Sequence, residues 1–100
     1  MEVRQIMTRV VETARRDTPV RAIARALRDR RLGVLPVVEQ GQVVGVSTAR
    51  DIGTRVLSDC PSARDVTAET VMTHGVLHCH EDQKVTDVAA MMGDHQVRRL

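Results

Sequence analysis

The sequence predicts a mixed α/β fold in which a β-α-β-β-α unit occurs once in full and is followed by the first half of a second copy. Two observations predict this class. One is a self-similarity of the chain at a fixed spacing, and the other is a helical apolar pattern that alternates with short β-branched runs. The chain has 100 residues, of which 42% are hydrophobic and 28% charged. Its length and composition are those of a single small domain or part of a larger one.

The self-similarity relates residues 6–35 to residues 71–100 without a gap. Ile6-Met7-Thr8 aligns with Val71-Met72-Thr73, 65 positions later. The sequence therefore predicts a first copy over residues 1–58, a linker over residues 59–65 and the first half of a second copy over residues 66–100. Further matched pairs are Val11 with Val76, Asp17 with Asp82, Val20 with Val85, Ala24 with Ala89, Leu27 with Met92 and Leu35 with Leu100.

The first copy opens with a predicted strand and a predicted helix. Residues 10–13 form a short β-branched run, which is typical of a strand. Asp17-Thr18-Pro19 predicts a helix start, because an acidic cap followed by proline is common there. We expect Gly33 to end this helix, as glycine often does. Its predicted inward stripe comprises Val20, Ile23, Ala24 and Leu27.

The rest of the first copy predicts a hairpin and a second helix. Residues 34–38 and 43–46 are rich in valine and flank the turn residues Gln40-Gly41. This pattern is typical of two antiparallel strands joined by a tight turn. Ser47-Thr48 then caps a helix that we expect to run from about residue 49 to about residue 57.

The composition argues against nucleic acid and membrane partners. The chain has no aromatic residue on which a base could stack, and its net charge is only +2. Its longest apolar stretches are a few residues, far below the length that spans a bilayer. The amino terminus lacks the pattern of a secretory signal, so we expect a cytoplasmic protein. Cys60 and Cys79 are too few for a disulfide scaffold and are expected to be free thiols.

These motifs resemble the cystathionine-β-synthase (CBS) domain family, whose members occur as tandem pairs called Bateman modules. The resemblance covers the whole chain, and it departs from the family where the second copy lacks its later hairpin and helix. The residues that carry it are Ile6–Thr8, Asp17–Pro19, Leu35–Val38, Gly45–Ile52, Val71–Thr73 and His95–Leu100.

Thr48 and Asp51 are the strongest candidates for a binding site. They lie between a predicted strand and a predicted helix, where free backbone N–H groups attract a phosphate and a carboxylate can accept hydrogen bonds from a ribose. A capping box, in which the two side chains only satisfy the backbone of the helix end, explains the same pattern. The family resemblance favours the ligand role, and the two roles are compatible.

In the family each pocket combines the Thr-x-x-Asp of one repeat with the first strands of the other. The resemblance therefore implies one ligand pocket in which Arg98 or Arg99 reaches a phosphate. The alternative for this arginine pair is a charged edge strand that discourages aggregation. The implied pocket comprises Thr48, Asp51, Val76, Leu77, Val97, Arg98 and Arg99. A second, weaker pocket without its own Thr-x-x-Asp would comprise Val11, Thr13, Val34, Leu35 and Pro36.

The remaining polar residues predict neither a metal site nor catalysis. His78 and His80 would share one face of a strand with Cys79 on the other, and two ligands are too few for a structural zinc site. These two histidines stay weak metal candidates, because a dimer could combine two such pairs. No nucleophile paired with a base, glycine-rich phosphate loop or catalytic acid pair occurs, so we expect no enzyme and no required cofactor.

The sequence therefore predicts a regulatory module that binds an adenosine-containing ligand between its two repeats. AMP, ADP, ATP, NAD and S-adenosylmethionine share the adenosine part, and the sequence does not choose among them. The open edge at residues 96–100 predicts a homodimer, and a regulated protein is a further expected partner. The alternative function is an assembly module with an empty or vestigial pocket.

Overall fold

The computed structural model describes residues 1–59, 65–75 and 77–100 and confirms the predicted α/β class. The chain divides into two compact units: a terminal unit of Met1–Val11 with Leu77–Leu100, and a central unit of Glu12–Val76. No helix in the described ranges is long and apolar enough to cross a membrane. The elements are a short 3-10 helix Val3–Gln5, α1 (Val20–Asp29), β1 (Val34–Glu39), β2 (Gln42–Thr48), α2 (Ala49–Asp59), α3 (Ala68–Val71) and α4 (Val85–His95).

Strands β1 and β2 form the predicted antiparallel hairpin. Gln40 and Gly41 have φ values of 51° and 75°, and two successive left-handed residues are what a type I′ turn requires. The register shifts between Val37 and Val38, which marks a bulge in the ladder. Leu35 and Val37 point to the core and are almost fully buried, so the hairpin has one buried face.

The strand predicted over residues 10–13 is wrong. In this segment only Ala14 pairs with the hairpin, through a parallel bridge to Val37 with two backbone hydrogen bonds of 2.8 Å. The Val10 side chain is 93% exposed. A β-branched run becomes a strand only where a neighbouring strand and a packing surface receive it, and this run has neither.

The strands expected in the second copy are also wrong where the structure describes them. The sequence places these strands at residues 75–78 and 97–100, and the described residues of both segments have no strand conformation. Val76, which belongs to the first of these segments, lies outside the described residues. A strand needs a hydrogen-bonded neighbour, and the described part of the terminal unit contains no hairpin to supply one.

Helix α1 has the predicted apolar stripe but a different start. Val20, Ile23 and Leu27 are buried, which confirms the helical periodicity, but Ala24 of the predicted stripe is exposed and Ala26 is half-buried instead. Pro19 is the N-cap residue rather than the first helical residue, and no side chain caps the helix. The fixed φ of proline suits either position, so the sequence motif placed the start within one residue.

The end of α1 is formed by Arg31 and not by the predicted Gly33. Arg31 has a left-handed φ of 53°. The N–H of Leu32 donates to the carbonyl oxygen of Leu27 at 2.9 Å, and the N–H of Arg31 donates to that of Arg28 at 3.3 Å. This pair of bonds is a Schellman closure, which fixes the left-handed position at residue 31 even though glycine would adopt it with less strain.

The core of the central unit joins α1, the hairpin and α2 to the opening segment of the second copy. One buried cluster contains Ile23 and Val37 together with Met72, which lies just after α3. A second cluster lies beneath α2, and Ile52 packs against both. The second cluster comprises Val20, Val56, Val66 and Val71.

Each compact unit contains residues of both sequence copies. In the central unit, backbone hydrogen bonds join residues 18–20, where α1 starts, to residues 66–68. In the terminal unit, equivalent bonds join residues 83–85, where α4 starts, to residues 1–3. The copy boundaries given by the sequence stay a prediction. The four bonds, each 2.9 Å long, run from Val20 N to Val66 O, Ala68 N to Thr18 O, Val85 N to Met1 O and Val3 N to Gln83 O.

Candidate functional site

The predicted Thr48-x-x-Asp51 motif lies at the junction between β2 and α2 in the central unit. The N–H of Asp51 donates to Oγ1 of Thr48 at 3.0 Å, and the N–H of Thr48 donates to Oδ2 of Asp51 at 3.3 Å. This reciprocal pair is a capping box. The capping role considered from the sequence is therefore present, and the carboxylate is fixed at the helix end by the backbone.

Thr73 is a third member of this site that the sequence analysis missed. Its hydroxyl donates to Oδ2 of Asp51 at 3.1 Å. Its backbone is held by β2, because Thr73 N–H donates to Val46 O at 2.8 Å and Thr73 O accepts from Val46 N–H at 3.1 Å. The repeated Met-Thr motif marked this residue in the sequence, but the pairing that brings it to Asp51 is long-range.

Arg55 is a fourth member, and it too was missed. Its Nη1 donates to the carbonyl oxygens of Val71 and Met72 at 2.8 Å each. Its Nη2 lies 3.8 Å from Oδ1 of Asp51. The signal for this pair was the spacing of four residues between an acid and an arginine on one helix. The guanidinium joins α2 to the segment that carries Thr73.

The lack of a side chain at Gly45 explains how Thr73 comes so close to β2. A Cβ atom at Gly45 would lie 2.7 Å from Sδ of Met72 and 3.0 Å from the carbonyl oxygen of Thr73, so only glycine fits there.

The two charged side chains of the site differ in solvent exposure: Asp51 is 17% exposed and Arg55 is 41% exposed. The site is therefore a partly buried carboxylate beside a solvent-accessible guanidinium.

Ser47 precedes the site and is fully buried. Its Oγ has no hydrogen-bond partner among the residues that the structure describes. A buried hydroxyl without a partner loses its hydrogen bonds to water, which costs stability. Ser47 is the neighbour of Thr48 in β2, but its side chain belongs to the core.

The other residues of the implied ligand pocket lie in the terminal unit. Leu77 and Val97 are half-buried, and both Arg98 and Arg99 are exposed. Val76 lies outside the described residues. The structure brings together Thr48 and Asp51, and the assembly of all seven residues into one pocket stays a prediction.

The weaker second pocket stays a prediction as well. Val11 and Thr13 are exposed, and Val34 and Pro36 are half-buried on β1. Leu35 is a member of the core cluster of the central unit. Its side chain packs against the protein interior in this structure.

The rings of His78 and His80 lie close together, although the strand that would place them on one face is absent. Their ring centroids are 5.4 Å apart and their planes are nearly perpendicular. Cys79 between them is half-buried. Across the described ranges, no group of three or more potential ligands comes together.

The comparison with known proteins gives one family. The family model of the CBS domain matches residues 3–57 and 63–100. The CBS domain-containing protein YhcV of Bacillus subtilis is 30% identical over 98 residues, which cover 98% of this chain and 69% of that protein. The uncharacterized protein MK0525 of Methanopyrus kandleri is 31% identical over 99 residues, which cover 91% of this chain and 50% of that protein.

Solved structures give the same result. The CBS domain pair of protein MJ0100, in complex with 5′-methylthioadenosine and S-adenosyl-L-methionine, has a TM-score of 0.81 at 28% identity and covers 97% of this chain and 75% of that one. The CBS domain of a CBS domain-containing membrane protein from Sphaerobacter thermophilus has a TM-score of 0.80 at 28% identity and covers 100% of this chain and 75% of that one. These findings confirm the resemblance predicted from the motifs.

Proposed function

This chain belongs to the CBS domain family, and we propose that it is a regulatory module that binds an adenosine-containing ligand at the junction of Thr48 and Asp51. The ligand class comprises AMP, ADP, ATP, NAD and S-adenosylmethionine. Support comes from the MJ0100 CBS domain pair, whose structure contains 5′-methylthioadenosine and S-adenosyl-L-methionine. We expect the module to act on a regulated protein and not to catalyse a reaction.

The observation that carries this function is the hydrogen-bonding state of the Asp51 carboxylate. Oδ2 accepts from the N–H of Thr48 and the hydroxyl of Thr73. Oδ1 accepts no hydrogen bond from the described residues, and the nearest guanidinium nitrogen of Arg55 is 3.8 Å away. Because a carboxylate has about four acceptor positions, Oδ1 is oriented and still able to accept from ribose hydroxyls.

In our proposal different residues around this carboxylate bind different parts of the ligand. Backbone N–H groups at the start of α2 and the cationic Arg55 favour an anionic group, since both contribute positive charge at one place. In our proposal Val76, Leu77 and Val97 form dry walls for the base. Arg98 or Arg99 binds a phosphate in this proposal. The alternative is that this pair only provides exposed charge that discourages aggregation.

The test is titration of the protein with adenosine ligands and comparison of the native chain with Asp51→Ala. The chain has no Phe, Tyr or Trp, so in equilibrium dialysis the excess absorbance near 260 nm on the protein side, where adenine absorbs, measures bound ligand with almost no contribution from the protein. Loss of a charged acceptor to ribose should weaken binding by about ten- to a hundredfold. Unchanged affinity in Asp51→Ala would remove this carboxylate from the site.

A matched control is available in α4. Asp87 is the acidic residue in the first turn of α4, as Asp51 is in α2. Asp87→Ala removes the same charge from a helix start, so it reproduces the loss of the helix-dipole interaction without touching the site. We expect Asp87→Ala to bind the ligand as the native chain does.

Self-association is a second proposed property, and a specific surface favours it. Leu57 on the outer side of α2 is 85% exposed. A shallow groove between α1 and α2 lies on the same unit and is lined by apolar residues such as Leu32 and Ile52. Exposed apolar surface of this kind favours a homodimer. Sedimentation equilibrium measures it, and a monomer at high concentration would contradict it.

A further inference from the structure

Asp51 and Arg55 face each other across a gap that is too wide for a hydrogen bond. Oδ1 of Asp51 lies 3.8 Å from Nη2 of Arg55. A guanidinium that is free to pair with a carboxylate closes to about 2.7–2.9 Å, and a spacing of four residues along a helix allows such a pair to meet. The cause of the wider separation therefore lies in the surroundings of the two groups.

Each of the two groups is held in place by other hydrogen bonds. The carboxylate is held through Oδ2, which accepts from the N–H of Thr48 at 3.3 Å and from the hydroxyl of Thr73 at 3.1 Å. The guanidinium is held through Nη1, which donates to the carbonyl oxygens of Val71 and Met72 at 2.8 Å each. Closing the gap would distort these bonds, so the fold itself keeps Oδ1 and Nη2 apart.

The gap has the size and the polarity of one hydroxyl group. An oxygen atom about 2.8 Å from each of two atoms can bridge a separation of 3.8 Å. In this gap it must donate to a carboxylate oxygen and accept from a guanidinium nitrogen, and a hydroxyl has both capacities on one atom. An anion in the gap would be repelled by Asp51 and a cation by Arg55, so the pair favours a neutral group.

We propose that Arg55 is a specificity-determining residue, whose Nη2 donates to the same ribose hydroxyl that donates to Oδ1 of Asp51. This inference rests on the proposed function, because it takes the adenosine ligand to lie at the junction of Thr48 and Asp51. It narrows the ligand class to adenosine compounds in which this ribose hydroxyl is present and unmodified. A deoxyribose has no oxygen there, and a phosphate attached to that oxygen would meet the carboxylate.

The consequence is a preference for ribose over deoxyribose that depends on Arg55. A site built to hydrogen-bond a ligand hydroxyl rejects the analogue that lacks it, because the groups of the site then lose their partner. Asp51 alone would need only a donor on the ligand. The pair of Asp51 and Arg55 needs a donor and an acceptor on the same atom, which makes the selection stricter.

The test compares AMP with 2′-deoxy-AMP and 3′-deoxy-AMP, and adenosine with its two deoxy forms, by equilibrium dialysis. The chain has no Phe, Tyr or Trp, so absorbance near 260 nm measures each ligand directly. We expect the native chain to bind the ribose form about ten- to a hundredfold more tightly than one of the two deoxy forms, since the missing hydroxyl bonds to charged groups. Equal affinity for all three forms would overturn the inference without any variant.

Arg55→Met separates the bridging bond from a purely structural role. We expect this variant to lower the preference for ribose by about five- to tenfold, because Oδ1 of Asp51 is then the only partner of the hydroxyl. The preference is a ratio of two affinities for the same folded chain, so partial unfolding of the variant lowers both affinities equally and leaves the ratio unchanged. If Arg55 only holds the segment of Val71 and Met72, the ratio stays at its native value, and that result would overturn the inference.

Two further variants test the role of charge. Arg55→Lys keeps the charge on a single nitrogen, and an ammonium that bonds to the two carbonyl oxygens leaves no second nitrogen for the hydroxyl. The preference should therefore fall as it does in Arg55→Met, and a native preference in the lysine variant would overturn the bridging bond. Arg50 is an exposed arginine on the same helix, and Arg50→Met should leave the ratio unchanged; an equal fall there would assign the effect to the charge of α2 and overturn the role of Arg55.

The same measurements separate this inference from the proposed function. Weaker AMP binding in Asp51→Ala together with a native preference in both Arg55 variants would overturn the role of Arg55 and leave the ligand site in place. A native chain that binds neither AMP nor adenosine, the part that the whole ligand class shares, would overturn both.

Discussion

Arg55 makes the most direct prediction about how the site is held in place. Its Nη1 donates to the carbonyl oxygens of Val71 and Met72, which belong to buried residues, and its Nη2 faces Asp51. Substitution by alanine would leave two carbonyl groups without their charged donor. A hydrogen bond to a charged group contributes about 1.5–3 kcal/mol, and the 41% exposure of Arg55 reduces this because water replaces part of the contact.

We therefore expect Arg55→Ala to lower the free energy of unfolding by about 2–3 kcal/mol. For a domain of this size that corresponds to a fall of roughly 10–20 °C in the thermal midpoint. Arg55→Lys should lower the free energy of unfolding by about half as much as Arg55→Ala. An ammonium keeps the charge but lacks the planar guanidinium that donates to separate acceptors. The change is measured by urea unfolding followed by far-ultraviolet circular dichroism, because the chain has no aromatic fluorophore.

Arg50 provides the control for this experiment. It lies on the same helix and is exposed. Arg50→Ala should change the free energy of unfolding by less than about 0.5 kcal/mol. If Arg55→Ala is as mild as Arg50→Ala, the two carbonyl bonds carry no stability and the assignment of Arg55 as the residue that positions this segment is refuted.

Two further substitutions test the packing around the site by the same unfolding measurement. Gly45→Ala should destabilise by about 1–3 kcal/mol, because the new Cβ would meet the buried Met72 side chain and the Thr73 backbone; a neutral result would show that this approach is loose. Ser47→Ala should raise stability by about 1 kcal/mol, because it removes a buried hydroxyl without a partner in the described ranges; a loss of stability would show that this hydroxyl is bonded.

The elements with a clear period were predicted well from the sequence. In α1 and in the hairpin one face is buried, and the spacing of apolar residues along the sequence reflects that burial. The strand over residues 10–13 failed for the opposite reason. β-branched residues fit a strand, but a strand also needs a neighbour, and only Ala14 reaches β1. That requirement is not local, so composition alone does not reveal it.

The helix end shows a second limit of local reasoning. Gly33 was chosen because glycine tolerates a left-handed backbone, yet Arg31 adopts it. The closing bond from Leu32 to Leu27 decides the position, and Leu32 packs against the core cluster. Packing of the residue after the helix therefore outweighed the preference of glycine at the end.

For the site, the sequence predicted the part that is local. Thr48 and Asp51 are three residues apart and are recognised as a motif. Thr73 and Arg55 act through contacts to residues 22 and 16–17 positions away, which the fold alone creates. The repeat identified Thr73 as special without showing its partner, because similarity between copies marks a residue and not its contacts.

The two interpretations of Asp51, as a cap and as a ligand residue, concern different oxygen atoms. The capping bond and the Thr73 bond both end on Oδ2, whereas Oδ1 accepts no hydrogen bond from the described residues. A capping carboxylate alone would need neither the hydroxyl of Thr73 nor a guanidinium that approaches its other oxygen. The capping box fixes the orientation of the carboxylate, and in the proposed site that orientation would present Oδ1 to the ligand. Helix capping and the proposed ligand binding would thus support one another at this residue.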